Sequence, residues 1–188
     1  ADIMHILDEL QQHGTTIILV THHRDEFVNA DRIIRLDNGR IVQSARGNTA
    51  SIPEMDESGT AQEDNPIAKS NIANGASKPT SAVPIIEIHN LIYQYPNSSN
   101  PVLDKLSITI NEGETVAITG HNGAGKTTLA RLLCALEQPQ SGSITVNTIP
   151  VARQRANGNM QPLKRADREK LRATIGYVMQ HPERQLFA

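Results

Sequence analysis

Apolar and polar positions change period several times along the chain, and each change marks an element. Ile3, Ile6, Leu7 and Leu10 recur at helical spacing behind Asp2, a capping residue type, and Gly14 stands where a helix C-terminus would turn out. Residues 15–21 (TTIILVT) are β-branched and almost wholly apolar, the pattern of a short strand buried on both faces of a parallel sheet. A short helix is expected over about residues 24–30. Residues 32–36 and 40–43 then flank Asp37-Asn38-Gly39, and Asn-Gly between two apolar runs predicts a hairpin.

The second half follows a different order. Residues 85–93 and 102–110 read as strands parted by a Pro- and Asn-rich loop, and the turn at 111–114 leads into a short buried strand at 115–119 (TVAIT). After a Gly-rich run, Leu129, Leu132, Leu133 and Leu136 mark the apolar face of a helix. A strand at 143–149, a basic polar stretch and a last strand at 174–179 complete the pattern. The fold class is α/β, with an antiparallel β portion in the second half. The first flank, residues 1–43, reads as the tail of such a domain, and the second, residues 85–188, as the head of one.

Between them, residues 44–84 contain no aromatic, are rich in Ser, Ala, Asn and Gly, and hold four of the ten prolines, so they read as a disordered linker. The whole chain of 188 residues carries 18 basic and 20 acidic side chains, a net charge of −2. The linker carries that entire excess, so the two flanks are neutral only when taken together. A neutral pair of flanks excludes electrostatic capture of nucleic acid or of an anionic membrane as the main role. Only 3% of residues are aromatic and Trp is absent, so the core falls to Ile, Leu, Val and Ala. The single cysteine, Cys134, can form neither an internal disulfide nor a paired metal site, which fits a reducing compartment. No apolar run approaches the roughly 20 residues that cross a bilayer.

The chemistry is concentrated in one motif. Gly120-His121-Asn122-Gly123-Ala124-Gly125-Lys126-Thr127 satisfies GxxxxGK[ST] directly after an expected strand and directly before an expected helix, the context that gives this motif its meaning. Glycines let the loop wrap with its amides turned inward on phosphate oxygens, and the helix N-terminus adds a positive dipole end. Lys126 is expected at the β- and γ-phosphates, and the Thr127 hydroxyl on Mg²⁺. ATP and Mg²⁺ are therefore the expected ligands, with Thr128 continuing the binding segment. Asp2, Asp8, Glu9, Asp25, Glu26 and Asp31 lie on expected helices or caps and read as solvated. The basic cluster of Arg153, Arg155, Lys164, Arg165, Arg168, Lys170 and Arg172 has no interleaved aromatics and has Asp167 and Glu169 among its neighbours, so it reads as a solvated loop and helix.

GHNGAGKTTLARLL, Tyr95-Pro96 upstream of it, SGSITV after the helix and IGYVMQ near the end together resemble the ATPase domain of an ABC transporter, over residues 85–188. The resemblance implies a P-loop NTPase fold. It implies that Tyr95 stacks on adenine, with Tyr93 as the rival, and that Gln180 senses Mg²⁺ and the γ-phosphate. VMQHPERQLFA is similar to the glutamine loop of energy-coupling factor and cobalt-type importers, which would set Arg184, Gln185, Leu186 and Phe187 against a transmembrane subunit. Implied partners are that subunit, a substrate-binding membrane component and a second ABC ATPase domain, at the cytoplasmic face of the membrane. In the first flank, ILVTHHRDEF followed by ADRIIRLDNGRIV resembles the histidine-switch region of the same domain, with His22 at the switch and His23 as its solvent-facing neighbour.

Two of the family's catalytic features have no counterpart in the sequence: an LSGGQ-like signature and an apolar strand ending in Asp-Glu. This stretch alone is therefore expected to bind nucleotide weakly and hydrolyse it poorly. The flanks match one module in reverse order, tail before head, as in a tandem protein represented by the end of its first ATPase domain and the start of its second. A linker of this length has an r.m.s. span of roughly 35 Å, so residues 15–21 could dock beside 115–119 in a permuted partial domain. The competing readings are a soluble ABC protein acting on ribosomes or DNA, and an inactive truncated product.

Overall fold

The computed structural model describes residues 3–21, 29–46 and 83–178. The first flank forms α1 (Ile3–Gln12), β1 (Ile17–Val20), β2 (Arg32–Asp37) and β3 (Arg40–Arg46). The second forms β4 (Pro84–Tyr93), β5 (Leu103–Asn111), β6 (Thr115–Thr119), α2 (Lys126–Leu133), β7 (Ser141–Val146), β8 (Ile149–Gln154), β9 (Met160–Gln161) and α3 (Arg165–Thr174). α1 stops as its sequence predicts: the Gly14 amide bonds to the Gln11 carbonyl at 2.8 Å and the Thr15 amide to that of Leu10 at 3.1 Å.

The two flanks share one sheet. Its strand order is β1-β6-β2-β3, with β1 and β2 both parallel to β6, in registers running Ile17↔Thr115 to Val20↔Ile118 and Arg32↔Val116 to Arg35↔Thr119. The docking of residues 15–21 beside 115–119, expected from the linker's reach, is thus present. Polar contacts fasten the join. Arg32 forms an ion pair with Glu114 at 2.9 Å between Nε and Oε1 and donates from Nη2 to Oε2 at 3.2 Å. The Gly113 amide donates to Thr16 Oγ1 at 2.9 Å. Asp31, expected to be merely solvated, accepts from the Thr115 amide and from Gln11 Nε2, both at 2.8 Å, because the register brings it to the start of β6.

A second sheet, β5-β4-β7-β8-β9, is antiparallel throughout. The core lies between the sheets and around α2: Ile34, Leu36 and Ile118 from the first sheet, Ile88, Leu91, Leu103 and Ile144 from the second, and Leu129 and Leu132 of α2 are fully buried in one cluster. On the other face of the first sheet, Ala117 meets Ala30 and Ile33. β6 is covered on both faces, which is why its sequence does not alternate.

Several boundaries differ from expectation. β3 runs on through Ser44, Ala45 and Arg46, paired with Ile34, Ile33 and Arg32, and β4 starts at Pro84. β3 is a half-exposed edge strand and needs no apolar pattern, and β4 begins one residue earlier than expected, so the range 44–84 expected for the linker is strand at both ends. The expected strand at 143–149 is a hairpin of β7 and β8 turning on Asn147 and Thr148, whose φ values of 46° and 65° suit a type I′ turn despite the β-branched Thr. Arg153 consequently lies on a strand. Leu136 falls off the α2 face: Ala135 takes φ 54°, the Leu136 amide turns back to Arg131, and the side chain is exposed. The expected strand at 174–179 is not formed within the described residues. Thr174 completes α3, the Ile175 amide still bonds to the Leu171 carbonyl, and residues 175–178 pair with no strand. Residues 24–28 of the expected short helix lie outside the described residues, and Asn29 and Ala30 are not helical.

Candidate nucleotide site

The Gly-rich loop leaves the carboxyl end of β6, between two parallel neighbours, where open α/β sheets form their ligand crevice. Gly120, Gly123 and Gly125 all take positive φ, at 144°, 86° and 101°. At Gly120 the requirement is also steric, since a Cβ there would stand 2.2 Å from the Leu36 carbonyl oxygen. The loop passes into α2 without a side-chain cap, because Gly125 occupies the N-cap, so the helix's first-turn amides keep no intrahelical acceptor. Ala124 is buried and Thr127 exposed.

Lys126 lies across this loop. Its Nζ donates to the Gly120 carbonyl at 2.7 Å and to the His121 carbonyl at 2.9 Å, and partial burial lowers its pKa. Its partners are neutral carbonyls, so its charge is uncompensated by them. A glycine cradle, an uncapped helix N-terminus and a cation held on carbonyls are together suited to a phosphate chain.

His121 sits at the loop's rim. Its Nε2 is 2.8 Å from Asp37 Oδ1 and its Nδ1 is 2.6 Å from the Asn122 carbonyl oxygen. Asp37 closes β2, and the hairpin tip beyond it supports the loop again: the Gly39 amide donates to the Ala124 carbonyl at 3.2 Å, and the Asp104 amide donates to the Gly39 carbonyl at 3.1 Å. The hairpin is legible in the sequence, but this role of Asp37 and Gly39 is not. Asn-Gly signals a turn, and nothing in spacing says which loop the turn will touch.

Of the two tyrosines, Tyr93 is buried and donates to Glu137 Oε2 at 3.0 Å; burial first, and Glu137 second, push its pKa up to about 12. Tyr95 is exposed, meets the Tyr93 ring edge-on at 5.0 Å, and its hydroxyl is 3.0 Å from Oγ1 of the buried Thr128. Tyr95 is thus the accessible ring beside the loop, and Tyr93 belongs to the core. His22 and Gln180, with Arg184, Gln185, Leu186 and Phe187, lie outside the described residues; Thr21, just before His22, donates from its amide to the Ile118 carbonyl at 3.3 Å. No cluster of His, Cys, Asp and Glu able to hold a metal occurs among the described residues, so Thr127 is the one described candidate for Mg²⁺.

Residues 103–188 match the ABC transporter family profile. Over these residues the chain is similar to the ABC transporter family. A Bifidobacterium longum protein assigned as an ABC transporter ATP-binding protein is 43% identical over 100% of this chain and 27% of its own length. A counterpart from Methanosarcina mazei is 30% identical over 98% of the chain and 33% of its own length. The energy-coupling factor transporter ATP-binding protein EcfA1 of Latilactobacillus sakei is 41% identical over 54% of the chain and 32% of its own length. The chain spans about a third or less of the length of these relatives. Among its described residues no helix is long and apolar enough to cross a membrane.

Proposed function

We propose that this chain forms a nucleotide-binding portion of a tandem ABC transport ATPase, of the kind that drives import of a small solute such as a vitamin or a transition-metal ion. The observation that carries the reading is Lys126 held on two carbonyls beside an uncapped helix N-terminus. In this reading the loop amides and the Lys126 ammonium receive the β- and γ-phosphates, the Thr127 hydroxyl holds Mg²⁺, and the exposed Tyr95 ring takes the adenine face. Mg²⁺, when bound with the nucleotide, neutralises charge developing between the β- and γ-phosphates. Tyr95 must give up its Thr128 contact if its ring is to reorient. His22 and Gln180 are assigned the switch and sensor roles by family resemblance.

The tandem reading is supported by the Bifidobacterium relative, which aligns with 100% of this chain while the chain covers only 27% of it. The similarity to EcfA1 over 54% of the chain supports an energy-coupling factor type of importer. On this reading the partners are a transmembrane subunit, a substrate-binding membrane component and a further ABC ATPase domain, and the protein works at the inner face of the membrane. Hydrolysis needs the signature and the Asp-Glu strand, which the sequence lacks, so this stretch binds without efficient turnover.

The test is titration with a fluorescent N-methylanthraniloyl ATP in the presence of Mg²⁺. Saturable binding that falls by more than about thirtyfold in Lys126→Ala, roughly the loss of one charge-assisted contact pair, is the expected result. Equal binding by the two proteins refutes the assignment.

A further inference from the structure

The contacts of the loop form a chain that no sequence motif contains. Asp37 Oδ1 meets His121 Nε2 at 2.8 Å, and the carbonyl of that same His121 accepts from Lys126 Nζ at 2.9 Å. The other nitrogen of the His121 ring is 2.6 Å from the Asn122 carbonyl oxygen, so the ring lies between two acceptors, one on the hairpin and one on the loop. Arg40, which pairs with Asp37 across the hairpin, directs its guanidinium elsewhere, donating from Nε to Asp104 Oδ2 at 2.9 Å, and leaves the Asp37 carboxylate to His121. The two flanks thus meet at the phosphate loop itself, 84 positions apart in sequence.

The geometry points to Asp37 as a positioning residue for Lys126, acting through His121. The inference rests on the nucleotide-site reading and deepens it: a residue of the first flank, outside the phosphate motif, sets where the lysine of the second flank stands. The direction of the effect is diagnostic. By charge alone a carboxylate near a phosphate site repels the ligand, so its removal would tighten binding. By positioning, its removal frees the His121 ring and weakens binding.

Binding of N-methylanthraniloyl ATP is measured for the full chain and for Asp37→Ala, Asp37→Asn, His121→Ala and the Asp37→Ala/His121→Ala pair, with thermal unfolding run alongside. Asp37→Ala is expected to bind roughly threefold to fivefold more weakly, the upper range for a half-exposed polar contact between side chains. Asp37→Asn, which keeps an acceptor oxygen, stays within about twofold of the parent, and Asp37→Ala adds nothing further once His121 is alanine. Unchanged or tighter binding in Asp37→Ala, or additive losses in the double variant, overturns the proposal. A readout without nucleotide separates this from failure of the nucleotide reading: the Lys126 ¹⁵Nζ resonance should move in Asp37→Ala and His121→Ala but not in Asp37→Asn. An Nζ signal indifferent to Asp37→Ala overturns the relay, whereas loss of all ATP binding with that response intact overturns only the nucleotide assignment.

Discussion

The Arg32–Glu114 pair offers the sharpest test of how the two flanks are joined. Their side chains are only 14% and 9% exposed, the guanidinium contacts the carboxylate through Nε and Nη2, and Nη2 also donates to the Thr109 carbonyl on the second sheet. Glu114 is further held by the Asn111 amide at 2.9 Å. Replacing Arg32 by Ala leaves a nearly buried carboxylate with Asn111 as its remaining donor. Removing one member of a fully buried pair costs about 3–5 kcal/mol. The residual solvent contact and the Asn111 bond reduce that to about 2–3 kcal/mol, a large share of a domain's usual margin of about 5–15 kcal/mol. Burial lowers the Arg32 pKa more than Glu114 raises it, so the pair's desolvation is substantial. The assay is urea unfolding followed by circular dichroism, which reads the loss as free energy, with thermal unfolding alongside expected to show a melting temperature lower by roughly 10 °C. In the apolar replacement Arg32→Met/Glu114→Leu, most of the loss should be restored, since no charge is left stranded. A loss below about 1 kcal/mol in Arg32→Ala, or a double-mutant coupling under about 0.5 kcal/mol, would refute the view that this pair secures the first flank.

Three further outcomes are expected of the same fold. Gly39→Ala should cost at least about 2 kcal/mol in urea unfolding, because Gly39 has φ 74° and a Cβ there would lie 2.3 Å from the Val102 backbone oxygen; a neutral result would mean the hairpin tip can move off that backbone. Leu36→Ala should cost about 2–5 kcal/mol, Leu36 being fully buried where the first sheet meets the core. Tyr93 should make stability sensitive to alkali. With its pKa raised from 10.0 to about 12, the folded state keeps the phenol proton longer than the unfolded chain, so this stabilisation is complete below pH 10 and lost as pH rises towards 12. Tyr93→Phe should flatten that part of the pH–stability curve, and an unchanged slope would refute it.

What could be read from the sequence was whatever is local. GxxxxGK[ST] between a strand and a helix defined the phosphate loop, because backbone freedom and helix polarity act over a few residues. TVAIT declared itself a strand of a buried parallel sheet, since it has apolar side chains on both faces; TTIILVT forms its strand too, but at the sheet edge, where of Ile17–Val20 only Ile17 is buried, because no further strand covers it among the described residues. Gly14 ended its helix and Asn38-Gly39 turned its hairpin for the same local reasons. Less was readable where partners supply the stability: Ser44, Ala45 and Arg46 are a strand only because β2 lies alongside, and residues 175–178 are not one within the described structure because nothing pairs with them.

The tertiary structure alone decided the site's wider composition. Parallel pairing of β1 and β2 on either side of β6 brings a segment from before the linker against a loop from after it, and so sets Asp37 on His121, Gly39 on Ala124 and Arg32 on Glu114. Each of these contacts joins residues more than 80 positions apart, and no periodicity or motif spacing reports on such a pair. The phosphate loop was written in eight consecutive residues, but the groups that hold it in shape come from a strand register that only the folded chain possesses.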